Sequence, residues 1–420
     1  MLYRTKWKRK NRKLRKWQYC ENSISGNHAA TETLGNIWKL RRGFCSNMKL
    51  LSWGANTYSQ LGQGFKSEQC VLPGELEKED SLDLSCITSI VGGGGHTLIV
   101  NKYGQVFACG SNTMGQLGLE MNTENLVFER IKLLDTYHII QVACGWNSSL
   151  AVTKNGELLV WGSNAYCQLG LPKKKTPFTS IPLKIEVPYV KTVASGLRHS
   201  AILTTDGLVM VCGNGKNGQL GLTDNNGISV AEVEQPQEIP GVTDVCSIAC
   251  GQQHTVVMTC SRRIFVWGNN KHGQLGVDPS LHAAIFTPKE IFIPQRPDAG
   301  CILLSGWTHT AILTVDGKII NWGRNTYGQL GSHEYQRPLF WKPQVMDNVK
   351  NVKQLAVGSE HNIAVLDTGR IVSWGWNEHG NCGTGTDENV QVPTSVGMDI
   401  KQTALIVGTG AGHSFALISE

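Results

Sequence analysis

A ten-residue motif recurs seven times along the chain, and this repeat is the strongest constraint on its fold. The first copy is WGANTYSQLG at Trp53, and successive copies start 51 to 56 residues apart. The seventh copy, WGWNEHGNCG at Trp374, is degenerate. The five copies between them begin at Cys109, Trp161, Cys212, Trp267 and Trp322. A period of this length is typical of solenoids, propellers and repeat arrays.

A second motif repeats in phase with the first: a glycine, two variable residues and then usually a histidine. In one copy Ser148 stands where the histidine would be, after Gly145. An apolar stretch follows most copies, and then a pair such as Asn155-Gly156, which suits a tight turn between adjacent strands. A second strand then leads into Trp-Gly. The copies with histidine are Gly93–His96, Gly196–His199, Gly251–His254, Gly306–His309, Gly358–His361 and Gly410–His413.

Each repeat therefore predicts two clear strands, an irregular loop and one or two weaker strands. A unit of about 53 residues cannot bury both faces of a sheet alone, whereas units closed into a ring bury both faces and remove free edges. The sequence predicts an all-β, seven-bladed β-propeller over residues 48–420. The strand from Gly410 to Ile418 finds its missing partner in MKLLSWG from Met48, so we expect one blade to combine both chain ends and close the ring.

Composition supports this interpretation. The chain holds 47 glycines among 420 residues but only 14 prolines, which fits many tight turns. Its 13 cysteines are scattered and predict reduced thiols. We expect no metal site, because no CxxC pair occurs and no second pair accompanies Cys246 and Cys250. We also expect no cofactor, because the GQLG loops lack the Lys-Ser/Thr of a phosphate loop. No apolar run reaches the roughly 18 residues of a membrane span.

Residues 1–47 form a basic extension with 12 Lys and Arg against 2 Glu, whereas residues 48–420 carry 27 basic and 31 acidic residues. We expect this extension to be disordered. Three interpretations remain open: a translation start at Met48, a nucleic-acid-binding or nuclear-import segment, and a mitochondrial presequence. We expect the protein in the cytoplasm and secondarily in the nucleus, with mitochondria a weaker expectation.

The two motifs together resemble the repeats of the regulator of chromosome condensation family. No Trp-Asp dipeptide occurs and a glycine run occurs only at 92–95, so WD and kelch propellers fit less well. Further segments are similar to a branch of the family that regulates secretion: GGGGH (92–96), VACGW (142–146), SGLRH (195–199), SGWTH (305–309), SWGWNEHGNCGTGTDENV (373–390) and VGTGAGHSFAL (407–417).

The resemblance implies a guanine nucleotide exchange factor or regulator of a small GTPase, linked to secretion, with a subunit of the exocyst as a further partner. The founding member acts on Ran and carries acidic residues directly after some of the motif glycines. No copy here does so, and Glu360 is the single acid, one place later. Ran itself is therefore a doubtful partner. The alternative is a propeller scaffold without exchange activity, since many propellers only bind other proteins. We expect a monomer.

The candidate partner-binding residues lie in the Gly-x-x-His loops, which we expect at one end of the central channel. The histidines recur at one repeat position, which favours a structural role that ties a strand to a neighbouring backbone group. In the founding member, however, several equivalent histidines lie near the face that meets the GTPase. The candidates are Trp146, Asn147, Arg198, His199, Gln252, Gln253, His254, Trp307, Thr308, His309, Glu360 and His361.

Two features allow more than one interpretation. Trp146 and Trp307 are either interface anchors, a role in which tryptophan is common, or plugs of the channel. Segment 222–235 contains Asp224, Asn225, Asn226 and Gly227, and it forms either a hairpin that wedges into a partner or a solvated loop. By contrast, we expect the repeated Trp53, Tyr58, Trp161, Tyr166, Trp322 and Tyr327 to pack internally, with Cys109 and Cys212 in place of tryptophan.

Overall fold

The computed structural model describes residues 48–76, 82–120, 123–332, 334, 337–398 and 402–420. The basic extension, residues 1–47, lies outside them. The described residues form seven four-stranded antiparallel sheets, which are the blades of a β-propeller. The predicted all-β, seven-bladed fold is confirmed. Two short 3-10 helices, Leu84–Cys86 and Lys132–Leu134, precede blades 1 and 2.

The seven blades each contain an innermost, a second, a third and an outer strand. The innermost strands are β3 Ile87–Gly92, β7 Ile139–Cys144, β11 Val190–Ser195, β15 Val245–Cys250, β19 Ile302–Ser305, β23 Val352–Val357 and β27 Thr403–Thr409, in blades 1 to 7. The second strands are β4 His96–Asn101, β8 Ser148–Thr153, β12 His199–Thr204, β16 His254–Thr259, β20 His309–Leu313, β24 His361–Leu366 and β28 His413–Ser419.

The third strands carry the Trp-Gly or Cys-Gly dipeptides, and the outer strands form the rim of the ring. The third strands are β5 Val106–Gly110, β9 Leu158–Ser163, β13 Val209–Asn214, β17 Ile264–Asn269, β21 Ile319–Arg324, β25 Ile371–Gly375 and β1 Met48–Asn56. The outer strands are β6 Asn125–Arg130, β10 Phe178–Ile185, β14 Glu232–Glu238, β18 Ala284–Ile291, β22 Leu339–Val345, β26 Val390–Ser395 and β2 Ser67–Glu75.

Blade 7 combines both ends of the described chain, as the sequence predicts. Strand β1 pairs with β28 from Met48 opposite Ser419 to Gly54 opposite His413. On its other edge β1 pairs with β2, and β28 pairs with β27. The innermost strands contact one another from blade to blade, including β27 with β3, so the ring is closed.

Burial explains why the second strands are easily recognised in the sequence. Second strands such as β4, β8 and β12 are buried at every residue because neighbouring blades cover both faces of the sheet. Such strands appear as apolar runs. Outer strands such as β10 are only half-buried because their free edge faces solvent. This leaves their hydrophobic pattern weak, and the sequence therefore marks them poorly.

The predicted turns between second and third strands are also present. In blade 2 the amide of Gly156 donates to the carbonyl of Thr153 at 2.9 Å, and Gly156 has a φ of 78°. A residue with a side chain rarely adopts this left-handed conformation, which explains the glycine after Asn155.

Candidate functional site

Strand register places the two loop types of every blade at the same end of the propeller. The first residue of each second strand pairs with the glycine of the Trp-Gly or Cys-Gly dipeptide, for example His199 with Gly213. The Gly-x-x-His loops and the connections from third to outer strands therefore share one end, which we call the loop face. The opposite end carries the turns between second and third strands, and we call it the turn face.

The Gly-x-x-His loops have the same backbone hydrogen bonds in all seven blades. The carbonyl before the second strand accepts from an amide in or directly after the third strand, for example Asn147 from Ser163 and Arg198 from Asn214, each at 2.8 Å. In several blades the first variable residue also donates its amide to the next blade, as Gly94 does to the carbonyl of Trp146 at 3.0 Å. The loop backbone is therefore fixed, while the two variable side chains differ from blade to blade.

Each of the six motif histidines links its own blade to the next one, and blade 2, which has Ser148 at this position, lacks the link. Each Nε2 atom lies 2.9–3.2 Å from a side-chain oxygen at the second position of the next blade's second strand. The partner is a side chain, not the backbone group that the sequence analysis expects. The histidine–partner pairs are His96–Ser149, His199–Thr255, His254–Thr310, His309–Asn362, His361–Ser414 and His413–Thr97.

Each of these partner side chains also donates to a main-chain carbonyl of the preceding blade. In blades 4 and 5, for example, Thr310 Oγ1 donates to the carbonyl of Gln274 at 2.9 Å. The indole of Trp322 donates to the same carbonyl, also at 2.9 Å. Because the Thr310 proton is used in this way, the proton between His254 and Thr310 belongs to His254 Nε2. The GQLG loop thus supplies the acceptor that joins two repeats.

The motif glycine is required by close approach to its own histidine. A Cβ atom on Gly251 would lie 2.0 Å from Cε1 of His254, which no side chain can tolerate. Burial lowers the pKa of all six histidines, to about 3 for His254 and about 4 for His199. They are therefore neutral at physiological pH, and their Nδ1 atoms have no hydrogen-bond partner.

This geometry divides the predicted binding residues into two groups. Six have buried side chains that support the loops. The sequence predicts these six on the partner-binding surface, and the structure corrects this because they are not accessible there. The buried group is His199, His254, His309, His361, Thr308 and Glu360. The accessible group is Trp146, Asn147, Arg198, Gln252, Gln253 and Trp307.

Trp146 and Trp307 meet near the axis of the loop face. They belong to blades 2 and 5, and their ring centroids are 5.6 Å apart with an interplanar angle of 48°. Trp146 remains 42% exposed. Gly94 of blade 1 provides the space for its indole, because a Cβ there would lie 2.7 Å from the ring. The pair therefore crosses the mouth of the channel and presents an aromatic surface.

The repeated tyrosines lie on the loop face and not in the core with the repeated tryptophans. The prediction of internal packing is confirmed for Trp53, Trp161 and Trp322, which are fully buried. It is wrong for Tyr58, which is 48% exposed. Tyr166 and Tyr327 are half-buried and lie under guanidinium groups, with Arg198 4.2 Å and Arg324 4.5 Å from the respective ring centroids.

A polar cleft of about 200 Å³ opens on the loop face where blades 2, 3 and 4 meet. Its lining includes Arg198, Gln252 and Gln253 from the Gly-x-x-His loops. Asn214, Lys216 and Asn217 follow from the end of β13 and the loop after it. Sequence analysis identifies the first three residues but not the others, because these belong to a different part of the repeat.

Residues 222–230 form a short hairpin on the loop face. Thr223 and Ser229 form an isolated β-bridge, and the Asp224 carboxylate accepts from the amides of Asn226 and Ile228, each at 2.9 Å. Gly227 has a φ of 76°, which closes the turn. Asn225 is exposed in the turn and Ile228 projects beside it. The hairpin exists, and whether it enters a partner remains a prediction.

Glu360 lies beneath the loop face with its carboxylate in a network of donors. Thr308 Oγ1 donates at 2.6 Å and Gln329 Nε2 also at 2.6 Å. Burial raises the pKa of this carboxyl group to about 7 despite these hydrogen bonds. The acid of the variable ring is therefore absent from the accessible surface.

One group of possible metal ligands lies between blades 2 and 3. The spacing of the cysteines in the sequence does not indicate this group. The ligand atoms of Cys167, Glu232 and Glu234 all lie within 4.8 Å of one another. Lys173 donates to Glu232 Oε2 at 2.7 Å, so an ammonium group already neutralises one of the carboxylates.

Within the residues that the structure describes, no helix is long and apolar enough to span a bilayer.

Comparison with known proteins gives a consistent result. The family model described as the RCC1-like domain matches residues 49–416. The mouse secretion-regulating guanine nucleotide exchange factor is 38% identical over 400 residues, covering 88% of this chain and 83% of the relative. The Arabidopsis thaliana ultraviolet-B receptor UVR8 is 32% identical, covering 81% of this chain and 76% of the receptor.

Solved structures agree with the sequence relatives. A crystal structure of Prp20p from Saccharomyces cerevisiae, reported with its binding properties to Gsp1p and histones, superposes with a TM-score of 0.76 at 25% identity. It covers 89% of this chain and 92% of the Prp20p chain. The motifs, the closed ring of seven blades and these matches together establish that the chain belongs to the RCC1-like domain family.

Proposed function

We propose that the chain is a guanine nucleotide exchange factor or regulator of a small GTPase, and that it binds the GTPase through the loop face. One observation carries the proposal. Seven loops with the same hydrogen-bonded backbone present different side chains at a single end of the molecule. Repetition of structure alone would favour similar residues in every blade. A fixed backbone with varied side chains instead suits recognition of one asymmetric partner.

The character of the loop face supports a protein partner. Tryptophan, tyrosine and arginine are the side chains most often found at interface hot spots. Here Trp146, Trp307, Tyr58 and Arg198 are all at least partly accessible on this face. Such aromatic groups contribute large contact areas with little loss of conformational entropy.

The relatives support a GTPase as that partner. One relative is named as a guanine nucleotide exchange factor, and the Prp20p structure is reported with its binding properties to Gsp1p. Exchange requires no bond chemistry, because the factor stabilises the nucleotide-free GTPase and thereby weakens nucleotide binding. A 10⁵-fold faster release corresponds to a release barrier lowered by about 7 kcal/mol.

We also propose a cellular process, a second partner, an oligomeric state and a location for the protein. By resemblance to the secretion-regulating factor, we place the protein in the control of secretion, with an exocyst subunit as a second partner. We further propose that it acts as a monomer in the cytoplasm, with the nucleus as an additional location. Ran is a poor candidate for the GTPase, since the single acid of the variable ring, Glu360, is buried.

The test is release of fluorescent GDP from a panel of small GTPases, Ran included, with the full chain in excess. Accelerated release from one GTPase supports exchange activity and identifies the partner. Unchanged release from every GTPase contradicts exchange activity and favours a propeller that only binds. Direct binding measurements with the same panel then decide whether a GTPase is the partner at all.

A further inference from the structure

The cleft on the loop face has a polar lining that carries positive charge. No Asp or Glu occurs among the described residues that line it. Two of its side chains, Arg198 and Lys216, carry positive charge and are exposed. Neither forms an ion pair with a carboxylate in the described part of the chain, whereas Lys173 and Arg263 on the same molecule are paired.

The side-chain amide of Asn214 is oriented by one backbone donor and one side-chain donor. The amide of Lys216 donates to Asn214 Oδ1 at 3.1 Å, and Gln219 Nε2 donates to the same oxygen at 3.2 Å. The Asn214 oxygen is thereby occupied by internal donors. Its Nδ2 group, which can only donate, is left for a ligand.

Gln253 is oriented by a longer chain of contacts. The amide of Lys271 donates to Asn269 Oδ1 at 2.9 Å, so Asn269 Nδ2 must face away from that amide. This Nδ2 group donates to Gln253 Oε1 at 3.2 Å. The acceptor of Gln253 is therefore occupied, and its Nε2 donor has no protein partner among the described residues.

The guanidinium group of Arg198 lies over the ring of Tyr166. The guanidinium carbon lies 4.2 Å from the tyrosine ring centroid. A guanidinium group carries paired N–H groups, and this fork matches the planar geometry of a carboxylate. The remaining donors are neutral amides and a single ammonium group, which favours a planar carboxylate over a phosphate dianion.

We propose that the cleft between blades 2, 3 and 4 is an oxyanion-binding site that receives a carboxylate side chain of the protein partner. Arg198 provides a bidentate contact, and Asn214 Nδ2 and Gln253 Nε2 provide further donors. Lys216 attracts the approaching acid. The statement that the acid comes from a GTPase rests on the proposed function, but the binding chemistry of the cleft does not.

The test uses a hexaglutamate peptide, with hexaglutamine as the uncharged comparison, and isothermal titration calorimetry of the full chain at low salt. We expect hexaglutamate to bind and hexaglutamine not to bind. Arg198→Gln with Lys216→Gln should weaken binding at least 10-fold. Gln253→Glu should do the same, because it replaces the free donor with a charge and keeps the oxygen that Asn269 contacts. Thermal melting checks that each variant is folded.

Matched controls remove the same charge elsewhere on the loop face. Lys174→Gln with Lys175→Gln has the charge change of the double variant, and Lys174→Gln alone has that of Gln253→Glu. We expect both controls to bind hexaglutamate within 2-fold of the wild type. Equal losses in the controls would show non-specific attraction to positive charge and overturn the proposal. So would unchanged binding in Gln253→Glu.

Inorganic phosphate is the competing ligand. If it displaces hexaglutamate at lower concentration than acetate does, the site prefers phosphate, and the assignment to a carboxylate is overturned. None of these measurements contains a GTPase. The cleft therefore keeps its assignment even if no GTPase responds in the exchange panel, and an active exchange factor whose cleft binds no anion refutes only this inference.

Discussion

Trp146 of blade 2 and Trp307 of blade 5 meet across the axis of the propeller, with ring centroids 5.6 Å apart. Their strands are on opposite sides of the ring, so the contact needs no shared sheet. It adds an aromatic surface on top of a structure that other contacts already hold together. These other contacts are the histidine links and the shared glutamine carbonyls between neighbouring blades.

We therefore predict that Trp146→Ala with Trp307→Ala leaves the fold intact. Neither indole is among the fully buried side chains of the blade cores. We expect the thermal unfolding temperature to fall by only a few degrees and the circular dichroism spectrum to be unchanged. If the variant is already unfolded at 25 °C and shows no cooperative transition, the pair is instead a structural plug of the channel.

The histidine links predict sharp acid unfolding. Burial lowers the pKa of six histidines to about 3 or 4, below the ordinary value of 6.5 that applies in the unfolded chain. Stability is then complete above pH 6.5 and falls as pH decreases from there. Each histidine contributes about 1.4 kcal/mol per pH unit, and six are enough to unfold a domain near pH 5. Near-ultraviolet circular dichroism against pH measures this.

The control for acid unfolding is His282→Gln, because His282 is exposed. We expect the acid midpoint of this variant to equal that of the wild type. A transition that begins only below pH 4 in the wild type would contradict the role assigned to the buried histidines.

The missing seventh histidine predicts a stabilising substitution. In blade 5, Ser305 and Thr310 both bind Nε2 of His254, at 2.9 and 3.2 Å. Blade 3 presents Ser195 and Ser200 at the same positions, and Ser195 Oγ is buried without a partner. We expect Ser148→His to satisfy it and raise stability by about 1 kcal/mol, measured by denaturant unfolding. A loss of stability would mean that blade 2 lacks the space for the ring.

The shared carbonyl predicts coupling between two side chains. Trp267 Nε1 at 3.0 Å and Thr255 Oγ1 at 2.9 Å both donate to the carbonyl of Gln219. Trp267→Phe or Thr255→Val alone leaves that carbonyl one donor, but both together leave it buried without a partner. We expect the double variant to lose at least ~1 kcal/mol beyond the sum of the single variants. Additive losses would show that the two donors act independently.

The buried carboxyl group of Glu360 affects stability with a pH dependence opposite to that of the buried histidines. Burial raises the pKa of its carboxyl to about 7 from 4.5, so the folded protein is relatively destabilised as pH rises through this interval. Glu360→Gln removes the buried charge and keeps hydrogen-bonding capacity toward Thr308 and Gln329. We expect the variant to be more stable than wild type by about 3 kcal/mol at pH 8 and nearly equal at pH 4.5. A constant difference at both pH values would contradict the buried charge.

The repeat alone was enough to predict the seven blades and the closure through Met48 and Gly410, because periodicity determines which strands pair. It was also enough to predict that the variable residues share one loop region. It could not predict which of the repeated residues are exposed to solvent. Tryptophan at the position of Trp53 and tyrosine at the position of Tyr58 both recur in the motif, yet Trp53 is buried and Tyr58 is exposed.

Contacts between repeats were beyond the sequence analysis for a related reason. The histidine partners lie 53 or 56 residues away or, for His413 and Thr97, 316 residues away, and only the closed ring brings them together. The cleft was missed in the same way, since its lining comes from three repeats. No single repeat contains a recognisable anion motif.

The most direct test of the loop face as the binding surface compares variants at the two ends of the propeller. Both are assayed on the GTPase that responds in the exchange panel. The loop-face variant is Trp146→Ala with Trp307→Ala. The turn-face control is Tyr189→Ala with Phe292→Ala, two side chains that are 72% and 80% exposed at the opposite end. We expect GDP release to fall at least 10-fold toward the basal rate with the first variant and to be unchanged with the second. Normal activity of the folded loop-face variant, or loss of activity in the turn-face variant, would contradict this expectation.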